Sequence, residues 1–434
     1  MQALLSFDQA PPISVPLRFF LTAPLFAMLA GALLLWSGPD LFASRWTPEA
    51  LALTHLITAG FMLQVMLGAM QQLLPVVAGA NIARPRLIAT LVHATITPGT
   101  LFLVAGFLTY QPWLFGCAVV FLGLGISIFV AATAFALHGV PANSPIILGL
   151  KLALAGLSVT VVFGLLLALA LGWSFDLPLI QLANIHLGWG FVAWGCAALG
   201  AVGFVAVPMF QLTPDYPGWF GRSFAYSALG FVLLWTLAEL AAWTMAASLL
   251  SVMVVLIAVV FALTTLRIQR RSKRVRPDPV QRFWQIAMFS ALAACTLWLL
   301  ARFSPLLEDW QGWPLLFGTL LLFGGFMSVI VGMLYKIVPF LVWLHLQHRG
   351  RGLLTAPNMK KVLAEVHISR QMVAHFTAFG LLVLASFWPQ LFVYPAGLAL
   401  IVANGWLLRN LLAAIQVYRG HLIKIEAVIA SRQP

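Results

Sequence analysis

The chain has 434 residues, of which 62% are hydrophobic and only 8% charged, and its mean hydropathy is +1.00. So little polar surface excludes a soluble enzyme or a nucleic-acid-binding globule, and leaves an all-α, polytopic membrane protein. The formal charge of +13 fits stop-transfer charge and contact with anionic membrane lipid, and no nucleic-acid partner is expected.

The opening stretch MQALLSFDQAPPISVPLRFF carries Asp8 and three prolines and has no short apolar core followed by small residues, so it does not read as a cleaved signal peptide. Apolar runs long enough to cross a bilayer then predict helices over 17–37, 50–77, 87–109, 112–137, 145–172, 178–207, 220–245, 247–268, 281–303, 314–343, 368–387 and 389–412, twelve in all within one transmembrane domain. Cys117, Cys196 and Cys295 each fall inside such a run, with neither disulfide nor CxxC spacing, and read as small buried thiols.

Charge sorts the loops. With both ends of the chain on one side, that side carries Arg84, Arg86, the run from Arg267 to Arg282, the stretch from His348 to Lys361, Arg409, Arg419 and Lys424. The other side has Arg45 and Arg302, with Asp40, Glu49, Asp176, Glu308 and Asp309. Positive residues stay on the cytoplasmic side, so both termini are expected there, in a bacterial-type inner membrane.

Repetition is the next signal. The second helix carries GAMQQLLPV from Gly68 and the tenth GMLYKIVPF from Gly332, with the same step from Gly to Pro. The sixth, from His186, ends in a similar Pro208. Related helices at intervals of four predict three pseudo-repeats of four helices each.

In these three helices the chain resembles subunit I of the haem-copper oxidase and nitric-oxide reductase superfamily. The resemblance rests on His55 and the exit LLPVVAGANIARPRL in the second helix, on His186 with Gly190 and Phe191 in the sixth, and on GMLYKIVPF in the tenth, which is similar to cbb-type sequences. It implies that His55 matches a haem ligand and His186 a copper ligand. The family's His-x-His of the tenth helix falls, counted back from Pro339, on Phe317, Gly318 and Thr319, and its His-His pair of the seventh on Glu239 and Leu240. A terminal oxidase needs those ligands to face a haem iron with a copper, so that activity is not expected.

Polar groups inside hydrocarbon are costly and face the bundle interior or a cavity, which singles out His55, His186, His93 and His375 as candidate cofactor contacts, with hydrogen-bonded packing as the alternative for each. His55 and His186 lie at one level, His93 and His375 at another. Glu239, at the place of a lost copper ligand, is a candidate metal ligand with His186, or a protonated carboxyl that snorkels. The Met62, Met66, Met70 stripe has thioethers that suit soft metals, but such a stripe in an apolar helix is ordinarily core or lipid surface, and Lys336 is expected to snorkel. The pair His345 and His348 has ligand spacing without a third ligand.

The expected function is a divergent oxidase-like membrane protein that binds haem b or a single copper or iron ion and acts in nitric-oxide or oxygen response or in electron transfer. Two alternatives stay open: a permease for a metal, haem or small solute, and a non-catalytic assembly subunit with other membrane subunits as partners.

Overall fold

The structure, a computed structural model, describes residues 7–275, 278–350 and 354–431; Arg276 and Arg351 of the basic runs, the first six residues and the side chain of Glu308 lie outside it. Twelve helices among these residues are long and apolar enough to span a membrane. They are α1 (Ser14–Ala43), α2 (Pro48–Ala78), α3 (Pro85–Thr109), α4 (Pro112–Leu137), α5 (Pro145–Trp173) and α6 (Leu179–Gln211), then α7 (Gly218–Leu240), α8 (Thr244–Gln269), α9 (Pro279–Phe303), α10 (Trp313–Gly350), α11 (Glu365–Ala385) and α12 (Pro389–Ala430).

Local chemistry sets the starts. Proline opens α2, α3, α4, α5, α9 and α12, where a missing N–H costs nothing. Thr47, Ser144 and Asp278 cap α2, α5 and α9 by accepting from the N–H groups of Ala50, Ile147 and Gln281. Several ends differ from the sequence expectation, among them α1, which runs to Ala43, and α10, which runs to Gly350. Helix α7 stops at Leu240, short of 245, because the chain turns through Ala242 at a φ of 56°. Helix α12 runs to Ala430, beyond 412, since Arg409, Arg419 and Lys424 end the apolar run without breaking a helix.

Three outer arcs, α11–α12–α1, α3–α4–α5 and α7–α8–α9, surround α2, α6 and α10. Phe191 of α6 stacks on Phe326 of α10 at 5.8 Å, and α2 meets α10 near Leu56–Leu63. The inner three share an irregularity: each widens into a π-helical stretch, at Leu56–Leu63, Trp189–Cys196 and Leu320–Met327. In each the kinking proline stands nineteen residues after the first residue of that stretch, from Leu56 to Pro75, from Trp189 to Pro208 and from Leu320 to Pro339.

The bundle has two unlike halves. Toward the basic end, below the wide turns, Leu67, Leu74, Val207, Val331 and Leu334 are fully buried in one apolar core. Met70 is buried there, Met62 is buried within the wide turn itself and Met66 packs against the same cluster, so the methionine stripe belongs to the core. Toward the other end the same three helices part around a cavity.

Candidate functional site

The cavity measures 1110 Å³ and is predominantly apolar. His55 and His186 both line it, and their ring centroids lie 6.5 Å apart with the planes 14° from parallel. Residues 131 positions apart in the chain meet because α2 and α6 are both inner helices of the bundle, each carrying its histidine just before its wide turn.

Both imidazoles are held by the same nitrogen. His55 donates from Nδ1 to the carbonyl of Leu51, one turn earlier, at 2.8 Å, and packs on Phe107 at 5.0 Å. His186 donates from Nδ1 to the carbonyl of Thr160 on α5 at 2.9 Å. A carbonyl only accepts, so each Nδ1 carries the hydrogen and each Nε2 keeps its lone pair, with no hydrogen-bond partner among the described residues. That second bond is the usual way a protein fixes the tautomer of a metal-ligating histidine.

Glycine makes the α5 contact possible. A β-carbon at Gly156 would sit 2.3 Å from the carbonyl oxygen of Ala193, and one at Gly164 would sit 2.9 Å from Cε1 of His186. Without side chains there, α5 lies close enough to α6 for Thr160 to reach the ring.

The remaining polar groups on the wall are few. Arg45 lies 4.3 Å over the ring of Trp46 and donates to Asn184 at 3.2 Å, and Arg302 donates to Ser248. Glu239 is on the wall too, but its Oε1 accepts from Trp235 Nε1 of its own helix at 3.1 Å. The partner that the structure brings to His186 is His55. Among the described residues no group of three His, Cys, Asp or Glu side chains is placed to hold a metal ion. Phe317, Gly318 and Thr319 of α10 complete the wall, and nothing lies within 4 Å of where a β-carbon on Gly318 would be.

His93 and His375 lie away from the cavity lining. His93 Nε2 is 2.8 Å from the Thr22 hydroxyl, with its ring edge-on to Phe19. His375 Nε2 is 2.9 Å from the hydroxyl of Ser328, which donates to the carbonyl of Phe323 at 3.1 Å. Ser290 of α9 donates to the carbonyl of Leu320 at 2.8 Å. Two carbonyls of the wide turn of α10 are thus met by hydroxyls, Leu320 by Ser290 of α9 and Phe323 by Ser328 of α10 itself, and His375 of α11 holds the second hydroxyl in place. Lys336, expected to snorkel, instead meets Asp278 Oδ2 at 2.7 Å, with Arg274 at 3.5 Å from the same oxygen. His345 directs its two nitrogens at the carbonyls of Leu341 and Pro11, and His348 faces Asp8 at 3.4 Å, so that pair pins the N-terminal segment to α10.

Thr160, Gly164, Ser290 and Ser328 carry no sequence signal of their own role. Only the glycine spacing on α5, Gly156 to Gly164, marks a face where another helix approaches. No protein-family model matches the chain, and no curated protein matches it.

Proposed function

We propose that this membrane protein holds a b-type haem in the cavity through Nε2 of His55 and His186 and works in electron transfer. The observation that carries this is the pair itself: two imidazoles of fixed tautomer, nearly parallel, at 6.5 Å on the wall of one cavity. His55 and His186 would hold the iron through nitrogens that carry a free lone pair, the ligand form of imidazole. The volume, 1110 Å³, lies just above the range of about 300–1,000 Å³ usual for small-molecule sites, enough room for a macrocycle. Haem would supply one-electron exchange, at a potential set by the residues that hold it and by its burial.

The chain's own residues do the rest. Leu51 and Thr160 hold the rings in the ligating tautomer, Gly164 leaves room for His186, and apolar walls exclude water. Arg45 and Arg302 offer guanidinium charge to anionic groups of the ligand. The oxidase-like bundle of three four-helix groups is supported by the wide turns in α2, α6 and α10 at one distance from their prolines. With Phe317 and Thr319 on the wall where that family carries histidines, oxygen reduction by the family's mechanism is left out of the proposal. The basic end is assigned to the cytoplasm by its charge.

A single copper or iron ion on the same two nitrogens is the second reading, favoured by the absence of a third ligand from α10. Transport finds less support, because the core below the wide turns is filled with buried apolar side chains such as Leu67 and Val331.

The test is an absorption spectrum of the detergent-purified full chain, oxidised and dithionite-reduced, with iron and copper analysis on the same sample. A Soret band and a reduced α-band, lost in His55→Ala and His186→Ala, are expected. A metal ion without a Soret band selects the second reading, and a colourless, metal-free protein that takes up neither hemin nor copper would falsify both.

A further inference from the structure

A second cavity, of 430 Å³, lies on the outer surface at the basic end, in the groove between α1 and α12. Its lining is Ser14, Leu17, Arg18 and Leu21 from α1, and Leu412, Ile415, Gln416 and Arg419 from α12. The two helices run antiparallel, so their sequence order is opposite and their depth order is the same. Arg18 comes near the start of α1, with Leu21 one turn deeper; Arg419 comes late in α12, with Ile415 and Leu412 one and two turns deeper. Two cations therefore stand at one end of the groove, above an apolar floor.

Neither cation forms an ion pair among the described residues. Arg18 donates from Nε to the carbonyl of Ser14 at 3.2 Å and from Nη1 to the Thr90 hydroxyl at 2.6 Å, both uncharged acceptors. Those bonds orient its guanidinium and leave Nη2 without a partner among the described residues. Arg419 is exposed and forms no hydrogen bond or ion pair among the described residues. No Asp or Glu lines the groove.

From this arrangement we propose that the α1–α12 groove is a binding site for one anionic phospholipid, with its phosphate between Arg18 and Arg419 and an acyl chain along Leu21, Ile415 and Leu412. A zwitterionic lipid brings its own ammonium close to the two guanidiniums and is disfavoured. A free phosphate has no use for the apolar floor, so a lipid is the occupant that uses both ends of the groove. The site is separate from the histidine cavity and does not depend on what that cavity holds.

Native mass spectrometry of the full chain, delipidated in detergent and titrated with phosphatidylglycerol or phosphatidylcholine, tests it. Retained phosphatidylglycerol adducts are expected, and about fivefold weaker binding for each arginine removed in Arg18→Gln and Arg419→Gln. Arg271→Gln, in the exposed α8–α9 loop, is expected to leave binding unchanged. Arg419→Gln is the decisive variant, since that side chain supports no part of the fold. The proposal is overturned if both lipids bind equally, if Arg419→Gln binds as the parent does, if Arg271→Gln weakens binding as much, or if glycerol phosphate displaces the lipid at equal concentration.

Discussion

Gly164 stands against the ring of His186, so close that a β-carbon there would lie 2.9 Å from Cε1. The ring's place is thus set from two sides, by the Thr160 carbonyl that its Nδ1 meets and by the side chain that residue 164 lacks. Gly164→Leu is expected to push the imidazole off that carbonyl and weaken cofactor or metal binding about 10- to 100-fold, with both histidines intact. Titration of the apo-protein with hemin or copper checks it. Binding equal to the parent's would remove Thr160 and Gly164 from the account.

Gly318 gives the converse case. A β-carbon there meets nothing within 4 Å, because the position opens on the cavity. Gly318→Phe is expected to fill the space and exclude a macrocycle while leaving the melting temperature within a few degrees of the parent, and Gly318→Ala is expected to do neither. A single metal ion would survive Gly318→Phe, so the two readings of the site separate on this variant.

The ion pair of Lys336 with Asp278 joins α10 to the start of α9. Lys336→Met leaves a carboxylate, 8% exposed, with only Arg274 beside it, and is expected to destabilise the chain by about 2 kcal/mol. Asp278→Ala is expected to cost more, since Asp278 also caps α9 through the Gln281 N–H. Tryptophan fluorescence during thermal unfolding ranks the two variants, and the double variant should lose less than the sum.

His375→Ala removes the group that faces Ser328 beneath the wide turn of α10. A loss of about 1–2 kcal/mol is expected from the buried hydroxyl left with one partner fewer. Cofactor content per folded protein should not change, whereas in His55→Ala it should fall severalfold. A fall in His375→Ala as large as that in His55→Ala would return His375 to the list of ligands.

The twelve helices were legible in the sequence because bilayer thickness demands long apolar runs, and proline and capping residues mark where they begin. The coupling of His55 with His186 was legible only as far as each stood out as polar in hydrocarbon. Their meeting depends on the approach of α5, which two glycines permit and no motif announces. The wide turns were invisible, since LITAGFML, WGFVAWGC and LLLFGGFM are as apolar as an unbroken helix. Lys336 and Asp278, 58 residues apart, lie on different helices, and nothing local to Lys336 names its partner.

Those wide turns fix an angular phase. An α-helix advances about 100° per residue, so the extra residue held in a π turn swings everything before it around the axis relative to everything after it. In α2 the part before the turn carries His55 and the part after it is locked in the packed core. Deleting one residue between Leu56 and Leu63 would restore ordinary helix and rotate His55 by that same angle, away from the ring it now faces. The direction in which this imidazole points is therefore encoded by chain length within one turn as much as by the histidine itself.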